Sequence, residues 1–472
     1  MKYDYHIIVI GAGSAGLVVA GGAAALGARV ALIERDKMGG DCLNTGCVPS
    51  KTFLKSAHLA KDIREAATLG IDSRIGPVDL KKIKQRVHAV IDEIAPHDSA
   101  ERFEGLGVRV YHGQAEFAGA HHVRIGQQLI SGKNIVIATG SEPVIPNIKG
   151  LDAGPCLTNQ NIFDLETLPK RLIVLGGGPI GLELGQGFQH LGSQVTVIDR
   201  NAHLFRKDDT EVAPIMEKVL TDDGMTLALN AKILEIKRES SEIIVITMQN
   251  GQTREIRGDQ ILVSLGRRPA TDGLNLEAAG ITLDKRGYVQ TDAYLRTNIR
   301  HIYACGDITG SYQFTHMAGY QAGVVIRNAI FHLRKKVDYS LVPWTTYTKP
   351  EVAHVGYTEA RAKKEGLYER SMIVYLADND RSRAENDRQG LLKLNLGRKN
   401  RIIGATLVGE KAGEMIPVVS LAIAQKKNPS VFLGIIFSYP TEAEIFQSLA
   451  TQQLKSSFKP WQKRLVSRLF LK

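Results

Sequence analysis

A Gly-rich hexamer that occurs twice constrains this chain more than any other feature. Residues 6–10 (HIIVI) are an unbroken apolar run of the kind that becomes a strand buried on both faces. Gly11, Gly13 and Gly16 follow, then small residues from Leu17 to Leu26, a second apolar run from Arg29 to Ile33, and Glu34. In this setting the first glycine permits a tight turn, the second admits a pyrophosphate, and the third lets helix and strand pack closely. The phosphate sits on the helix N-terminus and the acid bonds ribose hydroxyls. The pattern returns as Arg171–Leu175, Gly176, Gly178, Gly181, a helical stretch, the run Gln194–Ile198 and Asp199. Gly11 to Glu34 and Gly176 to Asp199 both span 23 positions. The chain is therefore expected to carry two nucleotide-binding βαβ units. Two dinucleotides bound together imply electron transfer between them, most simply between a flavin and a nicotinamide.

A length of 472 residues accommodates several domains, and 43% hydrophobic residues supply ample core, which excludes disorder as the main state. No apolar run is long enough to span a bilayer, and the N-terminus lacks a secretory pattern, so a cytoplasmic protein is expected. Four cysteines are too few for a disulfide scaffold. Two of them, Cys42 and Cys47, fall in GGDCLNTGCVPSK, residues 39–51, directly after the first fingerprint. Five positions are about one and a half helical turns, so a bridge between them needs a distorted first turn, and a helix N-terminus there would favour thiolate. Two cysteines do not make a closed zinc site, and no metal site is expected. Cys156 and Cys305 have no partner at suggestive spacing and read as structural.

With these blocks in hand, the sequence resembles the flavin-dependent pyridine nucleotide–disulfide oxidoreductases, the group of glutathione reductase, lipoamide dehydrogenase and mercuric reductase, over roughly residues 4–450. The resemblance implies an α/β fold of two Rossmann-like nucleotide-binding domains plus an α+β C-terminal dimerisation domain. The implied layout is 1–150 and 271–342 for the FAD domain, 151–270 for the NAD(P) domain, 343–454 for the interface domain and 455–472 for a basic tail. It implies that Cys42 meets substrate, that Cys47 lies against the flavin as the charge-transfer thiolate, and that Lys51 approaches the flavin with Glu183 as its partner. A solvated helix residue is the plain alternative for Glu183. Ala138-Thr139-Gly140 resembles the end of the first flavin segment, and LGRRP (265–269, with Gly266) the close of the nicotinamide domain. TNIRHIYACGD (297–307) resembles the return to the flavin domain, where Asp307 would bond the ribityl chain. THMAGYQAG (315–323) resembles the helix facing the pyrimidine end of the flavin, with His316 at its head as contact or neighbour.

The cofactors implied are FAD and NADPH or NADH. Asp199 stands where an acid bonds the 2′-hydroxyl of NADH and repels the phosphate of NADPH. Arg200 and Arg206 form the basic pair that NADPH-using relatives carry, so the two signals oppose each other with a lean to NADPH. The block completing the active site from the other subunit of a homodimer is normally His-Pro-Thr with a Glu five residues after the His. Here Glu444 is kept and the His is Tyr439. Tyrosine titrates near 10 and is a poor base at neutral pH, which weakens lipoamide and glutathione as substrates. Mercuric reductases carry Tyr there too, yet no Cys follows Cys305, so the vicinal pair that hands Hg(II) inward is missing. The expected enzyme passes electrons from NAD(P)H through FAD and the dithiol to a small-molecule disulfide or soft metal ion, mercuric-reductase-like. Dihydrolipoamide dehydrogenase is the alternative, and a membrane-associated flavin redox or binding subunit a third.

The net charge is +11, and Lys455–Lys472 contributes six basic residues and no acid. Phe458, Trp461, Leu465 and Leu469 form an apolar stripe at helical spacing among them. A helix packed on the dimer domain and peripheral attachment to anionic lipid are both consistent with that stripe; a nucleic-acid partner is not expected.

Overall fold

The computed structural model describes residues 3–239 and 242–471. It divides into two compact units, residues 1–200 with 228–338, and residues 201–227 with 339–472.

The first unit is built on two sheets whose central strands are parallel. In the first, strands run in the order Val108–His112, Val30–Glu34, Tyr5–Ile10, Gln128–Ile137. Ile302–Ala304 pairs parallel with the far side of Gln128–Ile137. Ile7 to Ile10 and Val30 to Ile33 are buried on both faces, which explains why these strands read as continuous rather than alternating apolar runs. One face packs on helices Ser14–Ala25 and Thr315–Ala329, the other on Phe117, Val123 and Leu274. In the second sheet Arg171–Leu175 lies between Gln194–Ile198 and Gln260–Val263, all parallel. A meander of Ala231–Glu239, Glu242–Gln249 and Gln252–Gly258 adjoins it.

The two fingerprints fold alike. Gly11 and Gly176 both have φ +102°, and a Cβ on either would lie 2.5 Å from Ala138 O or 2.6 Å from Ser264 O. At the third glycine a Cβ would lie 1.8 Å from Gly11 O on Gly16 and 2.2 Å from Gly176 O on Gly181. Only glycine lets helices Ser14–Ala25 and Pro179–Leu191 start this close to the preceding strand.

The second unit is an antiparallel sheet in the order Pro343–Thr346, Glu351–Gly356, Arg401–Gly409, Leu391–Gly397, Arg370–Tyr375. Helices Ala412–Ala424 and Glu444–Ser457 cover it through Met415, Ile416, Val419, Phe446 and Leu449. Residues 201–227 are tied in by a buried polar cluster. Asp209 accepts hydrogen bonds from Thr406 Oγ1 (2.7 Å), Asn395 Nδ2 (3.0 Å) and Glu359 N (2.7 Å). Lys393, whose side chain is 1% exposed, lies 2.8 Å from Glu211, 2.6 Å from Glu359 and 3.6 Å from Asp209. Burial resists ionisation of Glu359, but the hydrogen bonds from Lys363 and Lys393 outweigh it and hold its pKa down to about 2.

The expected tail helix forms, as Pro460–Phe470. None of its residues is buried, so it does not pack into this chain's own core. Phe458 is extended and Pro460 opens a new helix, which turns the tail away from helix Glu444–Ser457.

Removing Lys393 takes the shared cation from Asp209, Glu211 and Glu359 and leaves Glu359 its exposed partner Lys363. Lys393→Ala is expected to cost about 3–5 kcal/mol of stability, measured by chemical denaturation. Lys363→Ala, which deletes a mainly exposed partner of Glu359, is expected to cost under about 1 kcal/mol.

Candidate active site

The redox block folds as a broken helix. Gly40–Asn44 carries Cys42, Thr45 and Gly46 intervene, and Cys47 opens the long helix Cys47–Glu65. The break supplies the distortion that the five-residue spacing requires: a Cβ at Gly46 would lie 2.8 Å from Asp41 O. Both cysteines are free thiols and hydrogen-bond to each other. That bond is the largest cause lowering the Cys47 pKa to about 6. The Thr315 hydroxyl, 3.4 Å from Cys47 Sγ, and the Lys51 charge add to it, while desolvation and the Asp41 charge oppose it. The same hydrogen bond, followed by burial, pushes Cys42 well above the ordinary thiol range. The pair is thus polarised into a thiol at 42 and a thiolate at 47.

One turn into the long helix, Lys51 Nζ lies 2.8 Å from Glu183 Oε2 on helix Pro179–Leu191. The Glu183 side chain is 9% exposed, so it is not a solvated helix residue. The two helices touch through Phe53 and Phe188, ring centroids 4.8 Å apart, beside Gly187. Helix Thr315–Ala329 begins one residue before the expected His316, whose ring stacks on Phe314 at 5.3 Å. Thr315 therefore holds the first helical position and faces the thiolate.

Asp41 and Arg267 are functional candidates that sequence reasoning did not single out. Arg267 Nη2 donates to Asp41 Oδ2 (2.7 Å), and its Nε donates to Ser141 Oγ (2.7 Å). Ser141 in turn donates to Asp307 Oδ2 (2.6 Å). Burial raises the Asp307 pKa against these bonds. Asn159 Nδ2 also donates to Asp41 (3.0 Å). The residue just before Cys42 is therefore braced to the Asp307 loop. The available signal was a lone acid, Asp41, inside a block of small neutral residues.

The nucleotide turns are closed by their acids. Glu34 Oε2 accepts the Ala12 N–H at 2.6 Å, and Asp199 Oδ2 accepts the Gly177 N–H at 2.7 Å. A cleft opens beside the first turn, lined by Gly11, Glu34, Arg35, Gln114, Thr139 and Asp272. Thr139 Oγ1 is buried there without a hydrogen-bond partner among the described residues. A glycine turn, an acid and an unsatisfied buried hydroxyl around one cleft fit the adenosine and pyrophosphate end of a dinucleotide such as FAD. Gly140 has φ +73° at the cleft's edge, and Gly266 has φ +121° beside Arg267. Near the second turn Gly178 has open space above its Cα, and Arg200 is exposed. Arg206 belongs to the second unit, where it donates to Asn201 Oδ1 (2.7 Å).

In the second unit the Tyr439 side chain is exposed and its hydroxyl donates to Asp380 Oδ2 at 3.3 Å. Glu444 Oε2 accepts the Thr441 N–H at 3.1 Å, which fixes the loop between them.

Comparison with known proteins places this geometry. Residues 5–322 match the pyridine nucleotide-disulphide oxidoreductase model, and residues 342–450 match that family's dimerisation domain. The chain belongs to this family. It is 36% identical to a mercuric reductase of Bacillus cereus over 89% of this chain and 67% of that one. It is 34% identical to a dihydrolipoyl dehydrogenase of Geobacillus stearothermophilus over 95% of this chain and 96% of that one. Among solved structures, the Cu(II) complex of the HOCl-induced flavoprotein disulfide reductase RclA from Escherichia coli superposes with a TM-score of 0.85 at 29% identity, covering 96% of this chain and all of that one. Like its family, this oxidoreductase uses FAD and NAD(P)H, and its dimerisation domain supports a homodimer. No described helix is long and apolar enough to cross a membrane.

Two outcomes follow from the site. Alkylation of Cys47 by iodoacetamide should follow an apparent pKa near 6, because thiolate is the reactive form. Cys42→Ala removes the main stabilising bond and should move that midpoint up, whereas Asp41→Asn should move it down. Glu34→Ala should weaken flavin retention by about ten-fold or more, the loss of a charge-assisted hydrogen bond at the turn, read as flavin released on dilution.

Proposed function

We propose that this oxidoreductase draws electrons from NAD(P)H and delivers them through the Cys42–Cys47 dithiol to a thiophilic metal ion, with a small disulfide as the second acceptor class. The observation that carries the reading is the hydrogen bond of Tyr439. Its hydroxyl donates a hydrogen bond to Asp380 Oδ2. A phenol engaged as donor to a carboxylate is not a proton acceptor at neutral pH. Oxidation of a dithiol substrate such as dihydrolipoamide needs a base at that step; handing electrons to a metal ion held by thiolates does not.

The roles assigned to the chain's own groups follow from their placement. The first glycine turn with Glu34, Thr139 and Asp307 binds FAD, and the second with Asp199 and Arg200 binds the nicotinamide cofactor. FAD, when bound, accepts two electrons from the nicotinamide and passes them to the disulfide. Cys47 is the flavin-side sulfur, kept as thiolate by Cys42, Thr315 and Lys51. Glu183 holds Lys51 beside the redox helix. Cys42 is protonated in the resting pair, releases that proton to solvent when a metal ion binds, and is the sulfur that meets the acceptor, with soft thiolate ligands matching a soft metal. Tyr439 and Glu444, by resemblance, act from the partner subunit, where the Tyr439 hydroxyl would exchange its bond to Asp380 for one to the bound ligand. The similarity to mercuric reductases and the Cu(II)-bound RclA neighbour support a metal acceptor. The dihydrolipoyl dehydrogenase relatives, which match over nearly the whole chain, keep the lipoamide reading as the competitor.

One purified sample separates these readings. NAD(P)H oxidation stimulated by Cu(II) or Hg(II) should exceed dihydrolipoamide-driven NAD⁺ reduction by about ten-fold or more. Tyr439→His should raise the dihydrolipoamide rate by about 100-fold, the lower bound of a general base. Cys47→Ser should keep bound flavin and lose the stimulated rate. Fast dihydrolipoamide turnover in the unaltered enzyme would overturn the metal reading.

A further inference from the structure

The tail is chemically unlike the rest of the chain. The family's dimerisation domain ends at residue 450, and Glu444 is the last acidic residue in the sequence. Helix Glu444–Ser457 anchors itself through Ile445, Phe446, Leu449 and Ala450, all buried. Beyond it, helix Pro460–Phe470 buries nothing. At 100° per residue, Trp461, Leu465, Val466, Leu469 and Phe470 lie on one half of its circumference with Gln462 among them, and Lys463, Arg464, Ser467 and Arg468 lie on the other. The apolar half is open: Trp461 is 59% exposed, Leu469 60% and Phe470 76%. Lys459 N donates to Gln462 Oε1 at 2.8 Å, which caps the helix start without help from the rest of the protein.

We infer that helix Pro460–Phe470 is a docking element for an anionic lipid surface, lying in the plane of the interface with its apolar half inserted and its basic half among the headgroups. Both halves are needed for such a partner and each excludes another. A nucleic-acid backbone would use the cations and leave Trp461, Leu465 and Phe470 in water. A second copy of the tail would use the apolar half but bring six like charges from each chain together. An acidic lipid surface satisfies both, and anchoring by one amphipathic helix plus a basic cluster is the two-signal arrangement that peripheral attachment requires. No helix of the described residues spans a bilayer, so attachment would be peripheral and reversible.

The test uses the flavin-loaded full-length protein and vesicles of phosphatidylcholine with or without about half phosphatidylglycerol, at low salt. Co-sedimentation with the anionic vesicles only, accompanied by a blue shift of Trp461 emission, is expected. A Trp461→Phe protein should still sediment but lose the shift, since Trp344 is held inside the second unit by its bond to Asp208. The triple change Lys463→Gln, Arg464→Gln and Arg468→Gln should weaken binding by about 100-fold, at roughly five-fold per charge. Leu465→Ser with Leu469→Ser should weaken it at least as much. All these residues are exposed, so NAD(P)H oxidation should be unchanged and serves as the folding control. Absence of binding to anionic vesicles overturns the inference. So does binding that the apolar double variant leaves intact, or a Trp461 already blue-shifted and shielded from acrylamide in the free protein.

Discussion

Both nucleotide sites depend on a backbone turn that only one residue type can make. Gly11 and Gly176 share φ +102°, and each is packed against a carbonyl of the strand beside it. That turn aims unpaired amides of the following helix at one point, where a phosphate can satisfy them. The acid closing each unit accepts an amide of its own turn, at Ala12 or Gly177. The carboxylate therefore sets the turn's shape before it meets any ribose. Because the turns also fix where helices Ser14–Ala25 and Pro179–Leu191 begin, they locate Glu183, and through it Lys51 and the redox helix.

The dithiol gains its asymmetry from position along one helix. Cys47 occupies the first helical position, where amides and a nearby ammonium favour negative charge. Cys42 lies outside that helix, on a short turn that can only point its thiol inward. Asp41 then works against Cys47 while its ion pair with Arg267 limits how far. Hydrogen bonds from Cys42 and Thr315 thus lead in setting thiolate strength, the Lys51 and Asp41 charges oppose each other as smaller contributions, and Asp41 ties the site through Arg267 and Ser141 to the loop carrying Asp307.

Much of this was legible in the sequence because its signals are local. The equal 23-residue spans, the small residues after each first glycine and the cysteine block each lie within a short window. The tail's 3-4-4 apolar spacing gave its helix, though not whether anything covers it. The pairing of Lys51 with Glu183 came from resemblance alone, since nothing near either residue announces the other. Asp41–Arg267, Thr315–Cys47 and the Lys393 cluster were invisible for the same reason. Asp41 with Arg267, Thr315 with Cys47, and Lys393 with Glu211 each lie more than 180 positions apart, and each pair uses residue types that are ordinary on a surface. The proximity that the fold creates, which single residues in a sequence do not encode, is what makes them consequential.

The strand Ile302–Ala304 completes the sheet that Tyr5–Ile10 begins, with the whole second nucleotide unit lying between them in the chain. During synthesis the first glycine turn emerges early, but its sheet stays open-edged until residue 304 has left the ribosome. The sheet around Arg171–Leu175 draws its paired strands from residues 171–263. Its last strand therefore leaves the ribosome before the last strand of the first sheet. The first sheet's exposed strand edge is a vulnerable stage that chaperones or early flavin capture would shorten.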